Sequence, residues 1–510
     1  MEIPTAKEES LLSREKQPGA PSLPVNRCIN EAEIESNITT SDITPQAPNV
    51  VCFDSTNDPE DPQNWPNYYK YTLVGLLSAM QTMVNLGTLM CTPAVPLILE
   101  SFGSKQNNFY SVLLVAIWEL GEACGPLFVA PMSEYVGRMP VYHTANVMFT
   151  IWNIASGLSQ NVGMLIVFRF LTGLSVASVT LDATVVGDMF PVEERGTVQS
   201  FLGLAPLIGP VFGPAIGGAI SVSIGWRWMF WILAICSGVV ELGFIVFFRE
   251  TYKVAILWRK TKRLRKETGN ERLQPAIARP SGWGAFLQKG LIRPARMICL
   301  SPVLVLLAIY VSVIFSYLYI LLTTITPVFE SNYRFSTRAA SLVYIGIGLG
   351  MVCGMMCCRY TLDRIVKYHN GKSGAKPEHR LVPMIIGGVA VPIGLLVYGW
   401  TVQIHFHWML PVFGLAICGF SVASTIISSF SYLVDAFGIY AASAIAAIIT
   451  LRCLAGVVLP LAGPALFAKL GLGWGTTLLA LVALAFIPIP ILMMRVGDRI
   501  RQSSKLNVIF

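Results

Sequence analysis

Apolar runs of about twenty residues, the length needed to cross a bilayer, recur along this chain from Tyr71 nearly to its C-terminus, each bounded by a short polar connection. About twelve can be counted. They begin near Tyr71, Asn108, Pro140, Gly163, Thr197, Arg227, Leu300, Ala339, Leu381, Trp408, Ile439 and Thr476. The pattern predicts an all-α membrane protein of about twelve transmembrane helices in two six-helix lobes, residues 70–248 and 300–496, separated by a polar segment at 249–299. Composition agrees: the 510 residues are 54% hydrophobic and 13% charged, against about 25% charged in a soluble domain, and mean hydropathy is +0.60.

The N-terminus, "MEIPTAKEESLLSREKQPGAPSLP", is polar and Pro-rich and does not read as a cleavable signal, so the first span would serve as its own signal. Residues 1–69 carry twelve acidic and four basic residues, an acidic tail with the composition of a disordered segment. Positive charge gathers elsewhere. Residues 249–298, centred on "WRKTKRLRK", hold thirteen basic and three acidic residues; six more basic residues lie in 359–380 and four in 495–505. With twelve spans these segments share one side, and the loops opposite, 160–162 and 401–407, hold almost no Lys or Arg. The positive-inside rule then predicts a cytoplasmic N-terminus, central segment and C-terminal tail (497–510). The basic segment reads as a topology determinant that also meets anionic lipid headgroups rather than as a nucleic-acid site.

Eleven cysteines, mostly inside spans and without a CxxC pair, read as packing residues rather than a disulfide or metal framework. His405 and His407, beside Trp400 and Trp408, lack further ligands for a metal and read as interface residues. Asn37-Ile38-Thr39 is a glycosylation sequon on the tail assigned to the cytoplasm, where it would stay unmodified.

The stretch "LIGPVFGPAIGG" places Gly209, Gly213 and Gly217 four apart, with Pro210 and Pro214 between them and Gly218 after. In water that composition would mark a loop. In lipid, small residues let helices approach closely and neighbours satisfy the carbonyls that proline frees. Span five therefore reads as a bendable contact helix, pressed against a neighbour at the domain interface.

Charged residues inside spans are costly, about 2.5–3.5 kcal/mol each on insertion scales, so each asks for a reason. Glu119 and Glu122, in "IWELGEACGPLF", fall three apart on one helix face. They either pair with a cation such as Arg169 or carry protons, with Asp182 and Glu241 as the next candidates. Arg169, near the outer end of span four, either snorkels to the surface or handles substrate or protons. Asp182 is either a cavity residue or a structural hydrogen-bond partner. In span seven Tyr310, Tyr317, Tyr319, Thr323 and Thr324 are amphipathic enough to face a mixed cavity, or to anchor the helix at the interface.

Taken in order, "DPEDPQNWP" (Asp58–Pro66), "APMSEYVGRMPVY" (Ala130–Tyr142), "FRFLTG" (Phe168–Gly173) and "GPVFGPAIGG" (Gly209–Gly218) resemble the motifs of the major facilitator superfamily. More narrowly they resemble its fungal twelve-span drug:proton antiporters. The resemblance covers about Asp58 to Arg501. The loop motif departs from the family pattern, with Ala130 and Glu134 where Gly and Asp usually stand and Met139 at an often basic place. The resemblance implies a cytoplasmic gate of Glu134, Gly137 and Arg138, in which Glu134 and Arg138 can bridge at a helix end, served by Asp188 with Glu193, Glu194 and Arg195. It implies export of a small organic molecule (a toxin, secondary metabolite or drug) in exchange for protons, by a monomer without cofactor or metal, across the plasma membrane or an internal one. The alternatives are a proton-coupled importer of a nutrient such as a vitamin or polyamine, and a transporter-like sensor. No GxxxxGK[ST] pattern is present, so ATP is not the expected energy source, and no constellation of nucleophile, histidine and acid points to an enzyme.

Overall fold

The computed structural model describes residues 49–53, 58–103, 108–176, 178–191, 194, 195, 198, 202, 203, 205–277, 292–370, 377–437 and 441–503. Asn37, Glu193, Thr197 and Ile439 lie outside the described residues. The chain divides into two compact units, one of residues up to 64 with 253–279, the other of 65–252 with 280–510.

In the larger unit α1 (Asn67–Leu89) runs into α2 (Val95–Ser101), followed by α3 (Asn108–Val136), α4 (Arg138–Gly157), α5 (Val162–Leu174), α6 (Ser178–Met189), α7 (Ala205–Ser223) and α8 (Arg227–Phe247). The second half holds α10 (Arg293–Leu300), α11 (Pro302–Tyr333), α12 (Thr337–Leu342), α13 (Tyr344–Asn370), α14 (Val382–Gln403), α15 (Met409–Phe437), α16 (Ala441–Val458), α17 (Gly463–Phe486) and α18 (Pro488–Ser503). Among the described residues, eight helical runs are long and apolar enough to cross a membrane, and the 55-residue run Ser443–Gly497 has room for two spans. The rest of the expected twelve are shorter or more polar. Val162–Leu174 and Phe212–Ser223 are short apolar helices; the fourth span breaks after Leu174, and α4 carries Arg138, His143, Asn146 and Asn153 on one side.

Those polar residues face inward, which is the distribution a lipid solvent dictates. Helix α8 exposes Ile235, Val239, Leu242, Ile245 and Val246 while burying Ser237 and Glu241, the reverse of a water-soluble helix. Local capping follows ordinary rules. Asn161 accepts from Met164 N at 2.8 Å to start α5, and Ser301 caps α11 with Pro302 in its first turn. Helix α18 continues to Ser503, beyond the expected end of the last span at 496.

The glycines of α7 do make a close contact, but mainly within the first half of the chain. A Cβ at Gly209 would lie 2.6 Å from the carbonyl oxygen of Asn85, one at Gly213 would reach Leu89 Cβ at 3.4 Å, and one at Gly217 would collide with the Met90 backbone. All three partners belong to α1 or its C-terminal end, while α7 also runs against α12 and α13 of the second half. The next residue faces the second half: a Cβ at Gly218 would strike Ser341 on α12. Gly209 and Gly213 are one turn apart, so they and Gly217 form a single groove that admits the α1 backbone.

The smaller unit is built around "DPEDPQNWP". Asp58 Oδ1 accepts from Glu60 N and Asp61 Oδ1 from Gln63 N, at 2.8 and 3.0 Å, so two aspartates fold their own backbone into turns. Their remaining oxygens meet α9 (Lys253–Thr268): Lys260 Nζ lies 3.0 Å from Asp58 Oδ2, with both side chains 4% exposed, and Lys253 Nζ lies 3.8 Å from Asp61. The parallel pair β1 (Val50–Val51) and β2 (Gln274–Pro275) closes the unit. Cys52 is disulfide-bonded, a correction to the expectation of packing cysteines; it lies outside the spans, where no lipid-buried core is available to hold a thiol. Cys91, Cys124, Cys236, Cys299, Cys353, Cys357, Cys358, Cys418 and Cys453 are free.

Candidate functional site

A cavity of about 810 Å³ lies between the two halves of the larger unit, at the end of the bundle where α1 runs into α2. Its walls are Thr92, Val95 and Leu99 from the end of α1 and α2, Val112 and Val115 from α3, Thr323, Thr324 and Val328 from α11, and Phe467 and Leu472 from α17. Valines, leucines and hydroxyls therefore dominate, with Glu100 the carboxylate among the lining residues. Mixed surfaces of this size are typical of sites for small organic molecules.

One helical turn deeper than Val115 is Glu119, and one turn deeper than Thr323 is Tyr319. The two meet: the Tyr319 hydroxyl donates to Glu119 Oε1. Glu119 is 2% exposed, and its Oε2 is buried without a hydrogen-bond partner. Three residues further along α3, Glu122 Oε1 lies 3.4 Å from Arg452 Nη2 on α16. The Arg452 guanidinium stacks 3.9 Å from the centre of the Phe315 ring, and Phe315 packs on Tyr319 at 5.2 Å. A carboxylate pair from the first half is thus engaged by a tyrosine and an arginine from the second, directly beneath the cavity.

Arg452 was missed in reading the sequence, although "AIAAIITLRCLAGVV" shows a lone arginine in an apolar run, the signal that drew attention to Arg169. Arg169 itself does not pair with Glu119 or Glu122 and does not snorkel. It is 1% exposed, and its three nitrogens donate to Leu114 O, Gly87 O and Thr88 O at 2.8, 3.2 and 3.0 Å, with Trp118 stacked at 5.2 Å. A guanidinium satisfied by carbonyls of two neighbouring helices fixes α1 and α3 to α5, because its buried donors would otherwise be left without acceptors.

Asp182 and Glu241 sit apart from the cavity, both facing α4. The Tyr142 hydroxyl donates to Asp182 Oδ1 at 2.8 Å; His143 Nδ1 and Asn146 Nδ2 meet the two Glu241 oxygens at 2.6 and 2.8 Å. Of the span-seven residues, Tyr319 and Thr323 belong to the cavity and its floor. Tyr310 is turned into the second half, where a Cβ on Gly388 of α14 would lie 2.5 Å from its hydroxyl, and Tyr317 is buried without lining the cavity.

At the α3–α4 corner Gly137 has φ of 116°, a conformation costly for residues with a Cβ, and a Cβ there would also meet the Glu250 carboxylate. Arg138 does not bridge to Glu134, as the motif suggested. Its Nε lies 3.3 Å from Asp188 Oδ2, its Nη1 donates to Ser133 Oγ at 2.8 Å, and its backbone N donates to Glu250 Oε1 at 2.8 Å. Glu134 precedes Arg138 on α3, across the sharp turn at Gly137, whereas Asp188 ends α6 opposite it. Arg195 donates to the Phe190 and Gly187 carbonyls, and Glu194 is exposed. The second half repeats the arrangement. Arg380, ahead of α14, lies 2.8 Å from Asp435 near the end of α15, positions that correspond to Arg138 and Asp188 once six spans are added.

Two six-span halves with repeated ion pairs and a cavity between them describe a transporter architecture, and the comparison with known families decides which. The Major Facilitator Superfamily model matches residues 77–460. The chain belongs to the major facilitator superfamily. It is 41% identical over 465 residues to the MFS-type transporter penM of Penicillium rubens, covering 91% of each chain. It is 40% identical to efflux pump radE of Floropilus chiversii, covering 90% of this chain and 86% of that one, and 42% identical to MFS transporter cpaT of Aspergillus oryzae, covering 90% and 93%. Among solved structures, the xylose transporter XylE from E. coli, in a partially occluded inward open conformation, aligns with a TM-score of 0.64 at 16% identity over 84% of this chain and 98% of that one; at that identity it speaks for the fold alone. As a superfamily member this is a multi-pass membrane transporter of small molecules and not an enzyme.

Proposed function

We propose that this transporter exports small organic molecules in exchange for protons, with Glu119 as the proton carrier. The observation that carries the reading is the contrast between neighbours on α3. Glu122 Oε1 lies 3.4 Å from Arg452 Nη2, while Glu119 accepts from the Tyr319 hydroxyl through one oxygen and keeps the other without a hydrogen-bond partner beneath the cavity among the described residues. A carboxylate in that position can exchange its charge for a proton as access alternates, and substrate in the cavity lies one turn away. The Glu119–Tyr319 hydrogen bond joins the halves, so changing the protonation of Glu119 changes what holds them together. The efflux-pump name of one relative supports the direction. In this reading lobes 70–248 and 300–496 rock about the site of a single chain in the plasma membrane, with both termini and the 249–299 segment cytoplasmic and the cavity opening outward.

The test uses vesicles with an imposed pH gradient and the first of a panel of apolar fluorescent dyes that the wild-type protein concentrates. Glu119→Gln loses gradient-driven accumulation by about a hundredfold, the scale on which a positioned proton-transfer group matters, while dye exchange without a gradient persists. Glu122→Gln keeps a pH-dependent accumulation. Concentrative transport by Glu119→Gln with unchanged pH dependence would overturn the assignment.

A further inference from the structure

In the smaller unit, α9 and the β2 strand enclose a recess of about 180 Å³ lined by Trp258, Thr261, Lys262, Arg265 and Pro275. Trp258, Lys262 and Arg265 follow one another at four and three residues, so they share a helix face with Thr261, while Lys260 is buried on the far side.

The cations of this unit are not treated alike. Lys253, Lys260 and Arg263 each meet a carboxylate, from Asp61, Asp58 and Glu60. Among the described residues Lys262 and Arg265 meet none. The ammonium of Lys262 lies 5.4 Å over the Trp258 ring. Arg265 is oriented from behind, its Nε and Nη2 both donating to Leu273 O at 2.9 and 2.6 Å, which leaves Nη1 for an acceptor in the recess. Thr261 Oγ1 gives its proton to Leu257 O at 2.8 Å, and Pro275 has no N–H to offer. The recess therefore presents two uncompensated positive charges, one of them pre-oriented, on a wall of indole and pyrrolidine.

We propose that this recess binds a phosphomonoester group. Such a group carries close to two negative charges and several strong acceptor oxygens, matching the two free cations, and planar guanidinium and point-charge ammonium are the usual pair for it. The ester comes either from a lipid headgroup or from a soluble phosphorylated molecule. The chemistry of recognition is the same.

The experiment uses the full-length protein in nanodiscs of phosphatidylcholine with phosphatidylinositol 4-phosphate, released for native mass spectrometry to count retained phosphoinositide. Wild-type protein retains it. Lys262→Gln/Arg265→Gln lowers retention by about tenfold or more, and Lys262→Gln alone, which leaves the Leu273 anchor untouched, lowers it in part. Arg263→Gln, a neighbouring cation already paired, retains it as wild type does. Displacement by excess inorganic phosphate assigns a soluble ester as the natural occupant, and resistance to it assigns the headgroup; both support the recess. Undiminished retention in the double variant, or an equal loss in Arg263→Gln, would overturn the proposal, the latter by showing unspecific attraction to a basic surface. Because the readout is binding, its failure leaves the transport assignment standing.

Discussion

Among the described residues, four carboxylates lie buried well inside the spans of this transporter, and they divide into two kinds. Asp182 and Glu241 are satisfied by Tyr142, His143 and Asn146, all on α4 and all in the same lobe. Glu119 and Glu122 are held by Tyr319 and Arg452, both from the other lobe. Burial is similar, from 2% to 9% exposed, so burial alone does not separate them. What separates them is whether the partner moves when the lobes move. A carboxylate bonded within one rigid lobe keeps its partners through the cycle and acts as internal glue. One bonded across the lobes must exchange its partners each time access alternates, so its charge enters the energy difference between the two states.

The largest effect that would test this division is at Arg452. Arg452→Ala leaves Glu122 as an uncompensated buried charge, a change worth about 3–5 kcal/mol where a buried pair is broken on one side. The melting temperature in detergent should fall steeply, and Arg452→Ala/Glu122→Gln should recover most of the loss. A double variant no more stable than Arg452→Ala alone would mean that the pair does not link the lobes.

Tyr142→Phe comes next. It removes the donor to Asp182 inside one lobe, costing about 1–3 kcal/mol for a buried acceptor left short of a partner. The melting temperature drops, yet the pH dependence of dye accumulation stays as in wild type. A shifted pH profile would place Asp182 in the coupling chemistry and erase the distinction between the two kinds.

The smallest effect separates two glycines of α7. Gly213→Ala adds a Cβ at ordinary contact distance from Leu89 within the lobe, and the helix gains about 1 kcal/mol of propensity, so stability and transport change little. Gly218→Ala puts the same methyl into Ser341 across the lobes, so transport slows while the melting temperature of the lobes stays within a few degrees. Equal rates for the two variants would show that the α7–α12 contact is not exchanged during transport.

How much of this was legible in the residues differs between fold and site. The alternation of apolar runs and basic connections was enough for twelve spans and two lobes, because in lipid an unbonded backbone is so costly that an apolar run of that length has helix as its only solution. The cost of burying charge likewise marked Glu119, Glu122, Arg169, Asp182 and Glu241 as residues needing partners. It could not name the partners. Arg138 meets Asp188 and not Glu134 because α3 turns at Gly137 and brings the end of α6 alongside.

Sequence by itself therefore determined the span count, the inward direction of the polar residues and the small-residue face of α7, since each follows from transfer of local groups between water and lipid. Only the tertiary structure decided that this face meets α1, that Arg169 serves backbone carbonyls, and that Arg452 answers Glu122 from 330 positions away. Pairings of that kind depend on which helices stand side by side, and in a bundle whose helices are all apolar outside, many arrangements bury the same surface. The choice among them rests on a few polar contacts and on the points where a missing Cβ lets two backbones meet.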